Sequence, residues 1–345
     1  MDDVFIPNDI LHDILARLPA KSLMRFRCVS RHWNRLITDP YFMKLRSRRM
    51  IILTSLHLID DNVPIQDTAH SKAKLQFPFP HQEGTDNVAI IGTFNGIVLL
   101  VLSDQFQNPR MILYNPMTRA SKQVPDPPYP CHGATYAFGF GYGETTNDLK
   151  IVRIEVQDDC YFDWNTFDVF DVNKCSWIIR QDFTPKYHFH EDIGGTFVNG
   201  FLYWIAYRYD MVVILALDVK KMVLLKIDVP DGRHCTLLGS LNGNLCIISM
   251  SSLNEFDVWL MKEEKNSWCK AFSFTMGLKG IWCNMFFPVS MLDRGRIIMI
   301  DSSYQLFIYD TVKRTCKSVS VENFQTVYGM EYIESLVSPS DMCFV

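Results

Sequence analysis

His188-Phe189-His190-Glu191-Asp192 is the stretch best equipped for chemistry, because two imidazoles two residues apart could share one side of a strand with carboxylates beside them. A structural zinc site normally takes four ligands, and the sequence places no second pair, so a solvated loop is expected there. Gly139-Phe140-Gly141-Tyr142-Gly143 has the glycines of a phosphate cradle. It lacks the Lys-Ser/Thr pair and the following helix that a cradle requires. Cys28 falls in a helical stretch and reads as a core thiol, not a nucleophile. No G-x-S-x-G elbow marks a reactive serine. Lys44, Arg46, Arg48 and Arg49 form a short basic run without interleaved aromatics, which argues against nucleic-acid binding. Catalytic residues, metals and cofactors are accordingly expected to be absent. What the chain does offer is side chains suited to gripping another protein. Trp164, Tyr207, Arg208, Tyr209 and Trp282 stand in segments between strands, and such residues dominate protein interfaces. They are expected to line one face that grips a partner protein.

The elements that would carry these residues follow from composition and pattern. The chain has 345 residues, of which 48% are hydrophobic and 21% charged, the balance of a folded globular protein. Residues 1–50 hold ten Lys/Arg against five Asp/Glu, whereas the rest hold 24 against 33. The acidic excess of the second part favours a target with a basic recognition surface. No apolar run reaches the roughly 18 residues of a membrane helix, and the acidic start Met1-Asp2-Asp3 does not resemble a signal peptide. Ten cysteines sit singly with no CxxC pair, and there is no N-x-S/T sequon. A reducing compartment, cytoplasm and/or nucleus, is expected, with the thiols buried as small hydrophobes.

From Asn8 to Arg49 the period is helical. Ile10, Ile14, Leu15 and Leu18 read as one stripe between Pro7 and Pro19. Ser22 can cap a second helix carrying Leu23, Phe26 and Val29, and Ser30 a third carrying Trp33, Leu36 and Ile37. Asp39-Pro40 opens a last turn with Phe42 and Leu45. A unit of this size is marginal alone, so its apolar surface calls for cover, from the rest of the chain or from a partner.

Beyond residue 50 the runs are short, β-branched and aromatic. Asn95-Gly96, Asn199-Gly200 and Asn242-Gly243 each precede an apolar strand and suit two-residue hairpin turns. A second unit, strand–polar turn–strand, recurs around Asn115, Asp171, Asp218, Lys262 and Asp310, at intervals of 56, 47, 44 and 48 residues. That period and strand length predict β-propeller blades, about six of them, with a β-sandwich array as the alternative. The strand at 51–58 and the C-terminal segment 327–337 are expected to help complete the last blade and close the ring. The glycines at 139–143 read as a strand pressed near a crowded axis.

Two resemblances emerge from these residues. Ile6-Pro7, Ile14-Leu15-Ala16-Arg17-Leu18-Pro19, Ser22-Leu23-Met24-Arg25-Phe26-Arg27-Cys28-Val29-Ser30, Trp33 and Pro40-Tyr41-Phe42 resemble an F-box in order and spacing. Asn115-Pro116-Met117-Thr118-Arg119, Gly139-Phe140-Gly141-Tyr142, Val198-Asn199-Gly200-Phe201-Leu202-Tyr203-Trp204 and Asp257-Val258-Trp259-Leu260-Met261-Lys262 resemble the plant F-box-associated domain, close to its type 1 form. Together they are similar to plant F-box substrate receptors. The resemblance implies a non-catalytic subunit of an SCF-type ubiquitin ligase that binds a Skp-type adaptor, through it cullin and RING subunits, and recruits a target for degradation. It places Pro7, Ile10, Ile14, Leu15, Leu18, Pro19, Leu23, Val29 and Trp33 on or under the adaptor surface. Residues 1–49 are then the helical domain, 50–89 a linker with the first strands, and 90–345 the β-propeller-like domain. The competing class is a propeller hydrolase or a small-molecule or carbohydrate binder with a helical cap.

Overall fold

The computed structural model describes residues 7–342, apart from positions 19, 40–41, 43–48, 54–56, 61–71, 75–86, 104–108, 129–134, 146–147, 157–162, 190–193, 210, 231–234, 263–266, 277–284, 293–294, 304 and 320–328. Pro19, Trp282 and His190 lie outside the described residues.

Three short helices come first: α1 (Asn8–Ala16), α2 (Ala20–Phe26) and α3 (Arg31–Thr38). Ser30 caps α3 by accepting from the Trp33 backbone N–H at 3.1 Å. The Phe42 backbone N–H donates to Asp39 Oδ1 at 3.2 Å, so Asp39 ends one turn and begins the next. Two expectations are corrected. Ser22 lies inside α2 and caps nothing, and Val29 and Cys28 fall beyond the end of that helix and are exposed. Leu11, Leu15, Leu23, Ile37 and Phe42 form the core of this helical unit.

Among the described residues six blades follow: four are separate four-stranded sheets, and two are joined into one nine-stranded sheet. Blade one combines Gly329–Ile333 with Arg49–Leu53, His57–Asp60 and Lys72–Lys74. Its C-terminal strand pairs antiparallel with the first strand of the β region, Ile51 opposite Glu331, which closes the ring. The remaining blades run in order along the chain and begin at Asn87, Thr135, Gly194, Cys235 and Phe286. Neighbouring strands within a blade are antiparallel. The first-to-second and third-to-fourth turns therefore lie at one end of the ring, here the turn end. Second-to-third links and blade-to-blade connections lie at the other, the loop end.

The turn end explains the repeat. At the Asn-Gly turns both residues have positive φ, for example 45° at Asn95 and 77° at Gly96, as a type I′ hairpin requires. At three of the third-to-fourth turns a buried or half-buried Asn or Asp side-chain oxygen accepts from backbone N–H groups two and three residues on. Asn115 Oδ1 takes Met117 and Thr118 at 2.8 and 3.3 Å. Asp218 Oδ1 takes Lys220 and Lys221 at 3.0 and 2.9 Å. Asp310 Oδ1 takes Val312 and Lys313 at 3.0 and 2.8 Å. The recurrent Asn/Asp is thus a local hydrogen-bonding device, the reason such residues favour turns.

Blades pack face to face through apolar layers. Blades two and three share Leu99, Leu113, Phe138, Ile151 and Phe170, among others. Near the axis the innermost strands of blades three and four touch directly, in parallel, with Gly139 opposite Gly195. A Cβ on Gly139 would lie 2.7 Å from the Trp204 ring and 2.8 Å from Leu202, so only glycine admits that approach. Trp204 Nε1 donates to the Phe138 carbonyl at 2.8 Å in the space gained.

The strand Leu149–Val156 is buried at every position despite Lys150, Arg153 and Glu155. Its charges are paired. Arg153 Nε donates to Asp168 Oδ2 at 3.1 Å, and its guanidinium lies 5.0 Å from the Tyr136 ring centre and 5.5 Å from that of Trp177. Arg180 bridges Asp168 and Glu155 at 3.0 Å each. Those two carboxylates hold the Arg180 pKa above its ordinary value, although desolvation, the largest single influence, acts in the lowering direction.

Candidate functional site

Two faces, at opposite ends of the molecule, present side chains fit to bind other proteins. The first lies on the helices. On α1, Leu11 and Leu15 point inward, while Ile10 and Ile14, one residue earlier in each pair, are 52% and 50% exposed. The single stripe expected from sequence is therefore two adjacent stripes, one facing the helical core and one facing solvent. Val29, between α2 and α3, is 64% exposed, and Pro7 is exposed ahead of α1. Leu18 and Trp33 are half-buried, the Trp33 ring meeting Phe26 edge-on at 5.2 Å. Leu15 and Leu23 lie wholly inside and support the face from beneath without reaching its surface. Ile10, Ile14 and Val29 are the large apolar side chains that the described helical segment leaves exposed.

Sequence reasoning gave no signal for two further members of this unit. Leu336 is buried in the helical core, and Met117 packs against it. Both come from the turn end of the ring, so the helical unit is rooted there and the loop end faces away from it.

The second face is at the loop end of blades three and four. Trp164 and Tyr207 are half-buried, Arg208 is partly exposed and Tyr209 is 86% exposed. Arg208 Nη2 reaches Asp163 Oδ2 at 3.4 Å across the two blades, and its guanidinium stands 5.5 Å from the Tyr209 ring centre. Tyr209 has φ of 53°, a left-handed backbone that is costly for an aromatic residue. The neighbouring segment is held in place by Asn165, which donates to the Tyr187 carbonyl at 3.1 Å and accepts from the Tyr187 N–H at 2.6 Å. Trp164, Tyr207, Arg208 and Tyr209 thus share one end of the ring.

Among the described residues no three His, Cys, Asp or Glu side chains lie together as metal ligands, and no helix is long and apolar enough to cross a membrane. The expectation of buried thiols holds for Cys246 but not for Cys28 and Cys316, which are exposed.

The fold is a β-propeller with a helical unit at one end and aromatic side chains in the loops at the other. Comparison with known families narrows this. Residues 6–45 match the F-box domain, and residues 43–340 match the F-box associated beta propeller domain. The chain belongs to the F-box proteins that carry this propeller. The matching form is designated FBA_3, whereas the motifs alone pointed to the type 1 form. F-box protein CPR1 of Arabidopsis thaliana is 26% identical over 373 residues, covering 96% of this chain and 88% of its own. F-box/kelch-repeat protein At3g23880 of the same plant is 24% identical over 374 residues, covering 98% and 96%. An F-box implies binding of a Skp-type adaptor, and F-box proteins are in general non-catalytic adaptor subunits. Family and relatives together support a substrate-recognition role in SCF complexes.

Proposed function

We propose that this chain recruits a specific target protein to an SCF-type ubiquitin ligase for degradation, in the cytoplasm or nucleus. Ile10, Ile14 and Val29, with Pro7, Leu18 and Trp33 and with Leu15 and Leu23 beneath, form the adaptor surface, to which the F-box motif adds Pro19, outside the described residues. The loop end, around Trp164, Tyr207, Arg208 and Tyr209, holds the target, and Trp282, outside the described residues, is assigned the same role from sequence. The observation that carries this reading is the rooting of the helical unit at the turn end through Leu336 and Met117. It leaves the loop end free to take a target while the helices are engaged by the adaptor.

Proximity labelling in plant cells under proteasome inhibition tests the target face. Proteins enriched by the wild-type chain should be lost with Trp164→Ala/Tyr209→Ala, while adaptor labelling persists. Equal enrichment by both chains would place the target elsewhere.

A further inference from the structure

The strand that closes the ring does not end its work there. Beyond Ile333 the chain continues as a strap, residues 334–337, that runs between the ring and the helices. Asn115, wholly buried at a third-to-fourth turn, donates through Nδ2 to the Ser335 carbonyl at 3.0 Å and to the Val337 carbonyl at 2.7 Å. The Asn95-Gly96 turn abuts the strap from the other side, where a Cβ on Gly96 would lie 2.7 Å from the Ser335 nitrogen. Tyr332 Oη donates to the Gly96 carbonyl at 3.2 Å, fixing the closing strand against that turn. Held in this way, the strap delivers Leu336, 7% exposed, into the helical core beside Leu15, Leu23 and Phe42.

A helical unit of about 40 residues has little core to spare. Here part of that core comes from a segment some 300 positions away, and that segment follows directly on Gly329–Ile333, the strand that pairs with Arg49–Leu53. We propose that the strap makes adaptor capture conditional on ring closure: only a chain whose propeller has closed presents a fully formed adaptor surface. A chain truncated, nicked or misfolded in its last blade would then be kept off the ligase without any separate checkpoint. This inference rests on the adaptor role proposed above.

The test uses the full chain and a purified Skp-type adaptor, with amide hydrogen exchange read separately in α1–α3 and in the closing strand pair. Leu336→Asp should lower adaptor affinity by about tenfold or more, because it places a charge in the helical core. It should also speed exchange in α1–α3 while the closing strands stay protected, and Leu336→Met should restore both. Asn115→Ala, which keeps Leu336 but loosens both the strap and the turn that carries Met117, should speed exchange in α1–α3 in the same direction. Wild-type affinity together with unchanged helix protection in Leu336→Asp would overturn the inference. Failure of the wild-type chain itself to bind adaptor would instead overturn the adaptor role, and the exchange data would still decide whether strap and helices are coupled.

Discussion

Arg153 and Asp168 form an ion pair that is closed to solvent, the arginine 2% exposed and the aspartate 0%. They sit opposite each other on the second and third strands of blade three, at the layer where that blade meets blade two. A buried pair of this kind contributes little over an apolar substitute, but removing one partner strands the other. Asp168→Ala should therefore destabilise the chain by about 3–5 kcal/mol, read as a shift in the urea midpoint. A loss below about 1 kcal/mol would mean that Glu155 alone satisfies both arginines, because that is the range of an ordinary net hydrogen bond.

The close approach of blades three and four makes a second expectation. Gly139→Ala puts a methyl group against Trp204 and Leu202. Overpacking of this order costs about 1–3 kcal/mol, visible as a lower melting temperature and a changed Trp204 fluorescence. An unchanged melting temperature would show that the two innermost strands can separate freely.

Burial pushes the Tyr203 pKa from 10.0 to about 12. The folded chain keeps this proton more tightly than the unfolded chain does. Its contribution to stability is thus complete below pH 10 and is lost as pH climbs from 10 towards about 12. Urea unfolding followed between those values should show stability falling with pH, with a shallower fall in Tyr203→Phe. An identical slope in both chains would assign the dependence to other groups.

Much of the ring was legible because its signals are local. Asn95-Gly96 and the Asn115, Asp218 and Asp310 turns fix their own geometry within four residues. The pairing of the two chain ends followed from the need to hide sheet edges. Signals were weaker where long-range packing decides. Ile14 and Leu15 are neighbours in sequence, and only the position of the helical core sends one outward and the other inward. Ser22 has a capping side chain, yet α2 begins before it, at Ala20. Arg153 and Glu155 are charged residues in a strand buried throughout, and their partners Asp168 and Arg180 lie on the next two strands, a pairing that only the folded sheet brings about. Leu336 joining the helical core depends on ring closure and leaves no trace in the local pattern.

The exposed stripe of α1 and the turn at Val29 are the surface on which the proposed adaptor binding rests. Co-expression of the full chain with a Skp-type adaptor, followed by light scattering on the eluted species, measures this directly. The wild-type chain should elute as a one-to-one complex. Ile14→Asp/Val29→Asp should lose more than about 2 kcal/mol of binding, the scale of central anchors, with no drop in melting temperature because both side chains face solvent. Co-elution of the double variant at wild-type stoichiometry and affinity would contradict the account.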